Sequence, residues 1–403
     1  MKLLNVLSVE KLNNEILYYL ETNKTVIEVS LLDSLDYVLA EDIFAREDTP
    51  QFNKSTVDGY AIQFQDSLGA SESMPSVLKY VGSVGIGENN TVELESGQCA
   101  YVNTGAMLPI NANGVVMIEQ SEYNEFTDEV LIYKSIAQLE NVTVPGSDIE
   151  KNKLLFNEGQ CIDERVQAVL VAQGIVKVKV YKKLEVIVIS SGNELVDYQV
   201  ELEMGQVRDI NIFLISGLLK KAGFKVKQTF LIKDDYNTYL NVLKDNEADI
   251  YLSSGGSSQG DEDFTYEVFD EITNNVLCHG LAIKPGKPTI LAQKDNKLYL
   301  GLPGNPVSAY LVLAQTLIVA TKKINNLETT IVSAKLEHNV AGSPGKESVI
   351  LVNLERIGNE YLAKPLYYRS SNVLTLSKAE GYFVLKNGLE GINEGEEVEV
   401  ILF

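Results

Sequence analysis

Three kinds of residue in this sequence could do chemistry together: loop carboxylates, two lysines set between prolines, and glycines that let backbone amides approach a ligand. The richest stretch is DIYLSSGGSSQGDEDF, residues 249–264. Ile250 to Ser253 read as a buried strand, Gly255, Gly256 and Ser257 open a loop, and a helix begins at Phe264. A strand, a glycine loop and a helix N-terminus make a cradle for an anion. Asp261, Glu262 and Asp263 in that loop would repel the anion unless a cation lies between them. IKPGKP adds Lys284 and Lys287 on a turn stiffened by Pro285 and Pro288, which reads either as a phosphate anchor or as a solvated turn. Asp58, Asp148, Glu194, Asp234 and Asp235 are further loop acids, each of which alone suits a helix cap or a surface charge. Gathered around one pocket, the acids point to Mg²⁺, which takes one or two carboxylates with phosphate oxygens and water.

Several other chemistries are excluded. A P-loop needs G-x-x-x-x-G-K-[ST], but Gly280 stands one residue too far from Gly286-Lys287, and Pro288 follows. GSVGIG at 82–87 is not followed by a helical pattern, so the dinucleotide fingerprint fails as well. The two histidines, His279 and His338, lie outside any nucleophile-elbow context. Cys99, Cys161 and Cys278 form no C-x-x-C pair, which argues against a zinc knuckle or a disulfide framework and for a cytoplasmic protein. A net charge of −22 speaks against nucleic acid as partner. The N-terminal MKLLNVLSVEKLNNEIL lacks the continuous apolar core of a signal peptide, and no apolar run reads as long enough to span a membrane.

A chain of 403 residues predicts two to four domains. Residues 6–22 have the spacing of an amphipathic helix with Ser8 as N-cap. In FNKSTVDGYAI a D-G turn gives Gly59 a positive φ and leaves Asp58 projecting; alone, it reads as a hairpin. Glycine-broken β runs over 51–136 predict an inserted small β domain, in which NTGAMLP places Thr104 beside a glycine. Pro145-Gly146 turns the chain just before Asp148, and the helical CIDERVQAVLVAQG closes at Gly174. Segments 1–50 and 137–180 thus read as one discontinuous N-terminal domain. From 181 to 324 strands alternate with helices, which predicts a parallel, doubly wound α/β domain binding its ligand at the carboxyl ends of the strands. Glu194 follows the strand LEVIVIS, and GLPGNP supplies Pro303, Asn305 as N-cap and Pro306 at the first helical position. Residues 325–403 predict a C-terminal β-barrel. The fold class is multidomain α/β plus β.

STVDGYA, NTGAMLP, SGNEL, RDIN, SGGSSQGDED, IKPGKP and GLPGNPVSA stand in the order and approximate spacing of one family. Nearly end to end, the sequence resembles the molybdopterin molybdotransferases, relatives of the gephyrin E domain. The resemblance implies a four-domain subunit in a homodimer, with the active cleft between the α/β domain of one subunit and the N-terminal domains of the other. It implies Mg²⁺-dependent insertion of molybdenum from molybdate into adenylylated molybdopterin with release of AMP, and transient contact with a molybdopterin adenylyltransferase. By position it implies that Asp58, Thr104, Asp148, Glu194 and Asp263 are catalytic and that Glu194, Asp234, Asp235 and Asp263 serve the metal. Gly255, Gly256, Ser257, Lys284, Lys287, Pro303, Asn305 and Pro306 would hold substrate. Asn193 and Asn113 replace family aspartates, Ser258 and Gln259 replace apolar-leaning residues, and Thr143 stands in the place of an arginine. Two other readings stay open: a molybdopterin adenylyltransferase, which would consume ATP, and a gephyrin-like scaffold or cofactor-binding paralogue, which would bind without turnover.

Overall fold

In the computed structural model, residues 5–89, 91–255, 264–367 and 369–403 are described. The run VIVI sits inside β1 (Glu185–Ser191) because β-branched residues suit a strand covered on both faces. Five more strands join it: β2 (Lys225–Ile232), β3 (Ile250–Ser254), β4 (Val276–His279), β5 (Ile290–Lys294) and β6 (Lys297–Leu302). The sheet order is β2-β1-β3-β6-β5-β4. The first four strands are mutually parallel. β5 runs antiparallel to β6, so the sheet is mixed where the sequence pattern predicted a parallel one.

The pleat sorts side chains onto two cores. Val186 and Val188 face one, with α1 (Val9–Thr22), α2 (Asn211–Lys221), α5 (Pro306–Gln315) and α6 (Leu317–Ile324). Ile187 and Ile189 face the other, with α3 (Tyr236–Asp245) and α4 (Phe264–Thr273). Helices on both faces make the doubly wound arrangement. The run Pro306–Ile324 has, at 19 residues, the length and apolarity to cross a membrane, contrary to the sequence reading. It forms α5 and α6 and is mostly buried inside the protein, so packing accounts for its composition.

α1 begins after Ser8, whose hydroxyl accepts the Lys11 N–H at 3.3 Å. The helix lies on the central sheet: Leu12, Ile16 and Tyr19 are fully buried there. The Tyr19 hydroxyl donates to the Asp249 carbonyl at 2.6 Å and is 3.1 Å from that of Asn296, pinning the helix where β3 and β6 begin. Burial holds its phenol well above the ordinary range. Tyr19→Phe is expected to destabilise the chain by about 1 kcal/mol, because the part-buried hydrogen bonds of its hydroxyl to the Asp249 and Asn296 carbonyls are lost. Urea unfolding reads this, and an unchanged midpoint contradicts it.

Val26–Ser30 pairs antiparallel with Lys177–Tyr181, joining segments distant in sequence. Between them lies a six-stranded sheet in which Gly59–Ile62 is central, flanked by Gln98–Val102 and Gly114–Met117. At the other end of the chain, Glu347–Ile357, Glu360–Pro365, Ile331–Leu336, Glu397–Leu402 and Gly381–Leu385 pair in a ring, a closed five-stranded barrel. The two-residue strand Ile283–Lys284 joins this barrel, alongside Glu347–Ile357, and not the central sheet.

Candidate active site

The carboxyl edge of the central sheet is built around Gly255. It follows β3 with φ +100°, and a Cβ there would lie 2.1 Å from the Ser191 carbonyl oxygen at the end of β1. Only glycine fits so close an approach. The Gly255 carbonyl accepts the Thr265 hydroxyl at 3.1 Å, tying the strand end to the first turn of α4. Gly304, after β6, lies against the Gly255 backbone. Gly256, Ser257 and Asp263, with Asp261 and Glu262, lie outside the described residues.

Two residues without an assigned role in the sequence reading position this edge. Asn211 donates to the Ser254 hydroxyl at 2.6 Å and to the Gly304 carbonyl at 2.8 Å, joining the ends of β3 and β6. The buried carboxylate of Asp209 accepts the Ser190 hydroxyl at 2.6 Å and the N–H groups of Asn211 and Ile212, both at 3.2 Å, so it caps α2 and fixes β1. Both belong to RDIN, whose acid two residues before an amide, ahead of an apolar helix, was the available signal.

Glu194 is exposed in the loop after β1, and its carbonyl accepts the Val207 N–H at 3.0 Å. Lys233, also missed from sequence, braces this loop through the carbonyls of Asn193 at 2.8 Å and Leu195 at 3.0 Å. The Asn193 side chain accepts the Asp234 N–H at 3.2 Å, a role the family aspartate could equally fill. The two adjacent acids part company here. Asp235 is the N-cap of α3, accepting the Thr238 N–H at 2.7 Å, and the hydrogen bonds from Thr238 hold its carboxyl below the ordinary range. Asp234 Oδ1 is shielded from solvent and has no hydrogen-bond partner. Of the pair, Asp234 is therefore the acid with an unengaged acceptor oxygen, and Asp235 is committed to the helix.

Lys284 and Lys287 also separate. Because β5 runs backwards, Ile290 pairs with Gly301, and Lys287, just upstream, reaches the same sheet edge as Pro303 and Gly304. Lys284 is exposed on the barrel side, in a cleft of about 590 Å³ with Asn339, Ser348, Tyr367 and Ser370. Asn305 occupies the N-cap position of α5 with Pro306 at N1, but its side chain makes no capping bond.

Asp58, Thr104 and Asp148 form a second group, at the junction of the inserted sheet with the N-terminal segments. The Thr104 N–H donates to Asp58 Oδ1 at 2.6 Å. This bond, with those from the Thr104 and Asn103 side chains, holds the Asp58 carboxyl below the ordinary range. The strand that Asp58 opens pairs with Gln98–Val102 and Gly114–Met117 and not with Lys54–Ser55 before the turn, so the hairpin reading fails. Gly59 does not have a positive φ; it is required because a Cβ would lie 1.9 Å from the Val116 carbonyl oxygen. Asp148 follows Gly146, whose N–H donates to the Pro50 carbonyl at 3.0 Å, and Val142–Thr143 pairs with Lys54–Ser55. Those contacts bind the Asp148 loop to the segment that carries Asp58. The two groups of site residues stand on different sheets.

A glycine cradle at the carboxyl edge of a doubly wound sheet, with an inserted β sheet before it and a barrel behind it, defines a multidomain α/β protein that binds its ligand at the sheet edge. Residues 187–323 match the family described as probable molybdopterin binding domain, 7–174 the MoeA N-terminal region (domain I and II), and 333–403 the MoeA C-terminal region (domain IV). The chain belongs to the MoeA family. It is 32% identical over 383 residues to a molybdopterin molybdenumtransferase of Staphylococcus epidermidis, covering 93% of this chain and 91% of that one. A Staphylococcus aureus protein of the same name is 31% identical over 388 residues, with 95% and 92% covered. The crystal structure of a molybdopterin biosynthesis MoeA protein from Pyrococcus horikosii superposes with a TM-score of 0.83 at 34% identity, covering 98% of this chain and 99% of that one.

Proposed function

We propose that this chain is a molybdopterin molybdotransferase, which takes adenylylated molybdopterin and molybdate, hydrolyses the phosphoanhydride, sets molybdenum on the dithiolene sulfurs and releases AMP. The Gly255 cradle carries this reading: it abuts Gly304 and Ser191, in a loop cluster that also holds Glu194 and Asp234. Purified protein given adenylylated molybdopterin, molybdate and Mg²⁺ is expected to release AMP and to yield cofactor that activates a molybdenum-free acceptor enzyme. Absence of AMP release would refute the reading.

Among the described residues no group of three or more potential ligands surrounds a common point. Mg²⁺ needs only one or two carboxylates when phosphate and water complete its shell, and the partnerless oxygen of Asp234 beside the Glu194 loop fits that demand. Asp263 would complete the acids. Bound there, the ion would neutralise the pyrophosphate oxygens as the anhydride opens. The chain's own part is to hold the phosphates on backbone N–H groups after β3 and on Lys287, and to keep Pro303, Asn305 and Pro306 against the substrate. Lys284, Gly256 and Ser257 are the remaining anion contacts. Asp58, kept ionised by Thr104, would accept a hydrogen bond from the attacking oxygen species, and Asp148, on the loop tied to the same segment, is the further acid of that group.

Since those acids stand on another sheet, a second copy of the chain would bring them to the cradle. Supporting this, the segment after Glu194 exposes Tyr198, Leu202, Met204, Val207, Ile210 and Phe213, a concentration of apolar surface that a partner would cover. The dimer would act in the cytoplasm and would receive substrate from an adenylyltransferase. Met204→Glu with Phe213→Glu is expected to convert a dimer into a monomer in sedimentation velocity and to abolish AMP release. An unchanged sedimentation coefficient would remove this face from the interface.

A further inference from the structure

A second cavity, of about 400 Å³, lies away from the cradle, where the chain passes from the Lys177–Tyr181 strand into β1. Five lysines line it, Lys24, Lys182, Lys183, Lys220 and Lys221, against a single lining acid, Asp36. In a chain with 56 acidic and 34 basic residues, so local an excess of cations needs a cause. Part of the cause is structural. The C-terminal ends of α1, α2 and α6 converge here, with their capping residues Asn23, Ala222 and Asn325 in the wall. Each helix end carries about half a negative charge, which lysines offset. Lys182 is further engaged, its Nζ 3.6 Å from Asp249. Once these ends, Asp36, the Lys182 pair and Glu158, whose carboxylate accepts the Tyr181 hydroxyl, are set against the lysines, a surplus of about half a positive charge remains. Helix capping alone does not use that surplus.

The rest of the wall is apolar or aromatic. Leu20, Leu184 and Ile324 form an aliphatic part. Tyr37 and Tyr181 each carry a lysine on the ring face, Lys183 Nζ and Lys24 Nζ both lying 4.4 Å from the ring centroids. Such contacts hold the ammonium groups at the wall, at little further cost in rotamer entropy when an anion arrives. The volume suits a small organic molecule and not a macromolecule.

We propose that this pocket binds a small organic phosphate monoester with a planar or apolar body, at a site separate from the cradle. The phosphate takes the lysine surplus, and the body lies on the aliphatic and tyrosine wall. Such a ligand would touch the N-terminal helix, the N-terminal ribbon and the central domain at once, and would fix the angle between them. The proposal stands independently of molybdenum transfer, because its readout is local labelling and not turnover.

Pyridoxal 5′-phosphate is a suitable probe, being a planar ring with a phosphate monoester and an aldehyde that condenses with a lysine amine. Borohydride trapping and peptide mapping of the full chain then report which lysines are reached. Lys24, Lys183, Lys220 or Lys221 is expected to label about tenfold faster than exposed Lys153, since one or more neighbouring cations hold the phosphate beside it. Excess AMP is expected to suppress this labelling, whereas adenosine and inorganic phosphate each do so poorly. The Lys220→Glu, Lys221→Glu double variant, with far-UV circular dichroism unchanged, is expected to lower trapping at Lys183 about tenfold. Labelling of the pocket lysines no faster than Lys153, or no response to the double variant, overturns the site. Equal suppression by inorganic phosphate and AMP overturns the organic body.

Discussion

Asp58→Asn is expected to keep the fold, to lower the unfolding midpoint only slightly, and to lower the rate of AMP release by on the order of 10²-fold or more. The asparagine carbonyl can still accept the Thr104 N–H, so the 2.6 Å bond that shapes the loop survives. Only the negative charge is lost. That charge is favoured in the folded chain, because hydrogen bonds from Thr104 and Asn103 hold the carboxyl below the ordinary range. For an acid with a lowered folded pKa, the stabilising effect is present above the unfolded pKa and is lost as pH falls through the folded one. Asp58 is therefore ionised throughout the neutral range and does not titrate in an activity profile taken there. A variant with full activity would remove Asp58 from the chemistry. A large fall in melting temperature, with AMP release lowered only in proportion to the folded fraction, would show instead that the charge serves the loop.

How far the sequence reveals this site depends on whether a residue's role is local or shared. The helix start at Asn305-Pro306 and the glycine ends at Gly174 and Gly223, both with positive φ, follow from one or two residues and are readable. So is the doubly wound class, because VIVI in β1 must be covered on both faces. Gly59 was misread because a close approach by Val116 depends on a strand some sixty residues away, which a D-G dipeptide cannot disclose. The reversal of β5 has the same origin: a strand's direction is set by its neighbours. It explains why PGKP reaches the sheet edge although it precedes its strand. Asp234 and Asp235 are equivalent in sequence, and only the capping bond to Thr238 separates them. Asn211 and Asp209 hold three strand ends together, yet either would read as an ordinary helix-start residue.

Gly255→Ala should be the most damaging single substitution at the sheet edge, for two reasons that add. At φ +100° a Cβ is strained whatever space surrounds it, and here that atom would stand 2.1 Å from the Ser191 carbonyl oxygen. The obstacle is backbone of β1, not a flexible side chain, so β1 and β3 must separate at their carboxyl ends. A loss of about 2–4 kcal/mol is expected in urea unfolding, in the range of strained positions that also lose packing. The same displacement moves the Gly304 carbonyl that Asn211 holds at 2.8 Å and the Gly255 carbonyl that Thr265 holds, so the cradle loses its shape. Adenylylated molybdopterin should then bind at least tenfold more weakly at temperatures where the variant is still folded. Gly304→Ala is the matched control, since its Cβ would meet the Gly255 backbone only at 3.4 Å, an ordinary contact. It should keep most of the stability and affinity. Equal losses in the two variants would mean that the edge tolerates no side chain anywhere, and the special role given to the Gly255–Ser191 approach would fall.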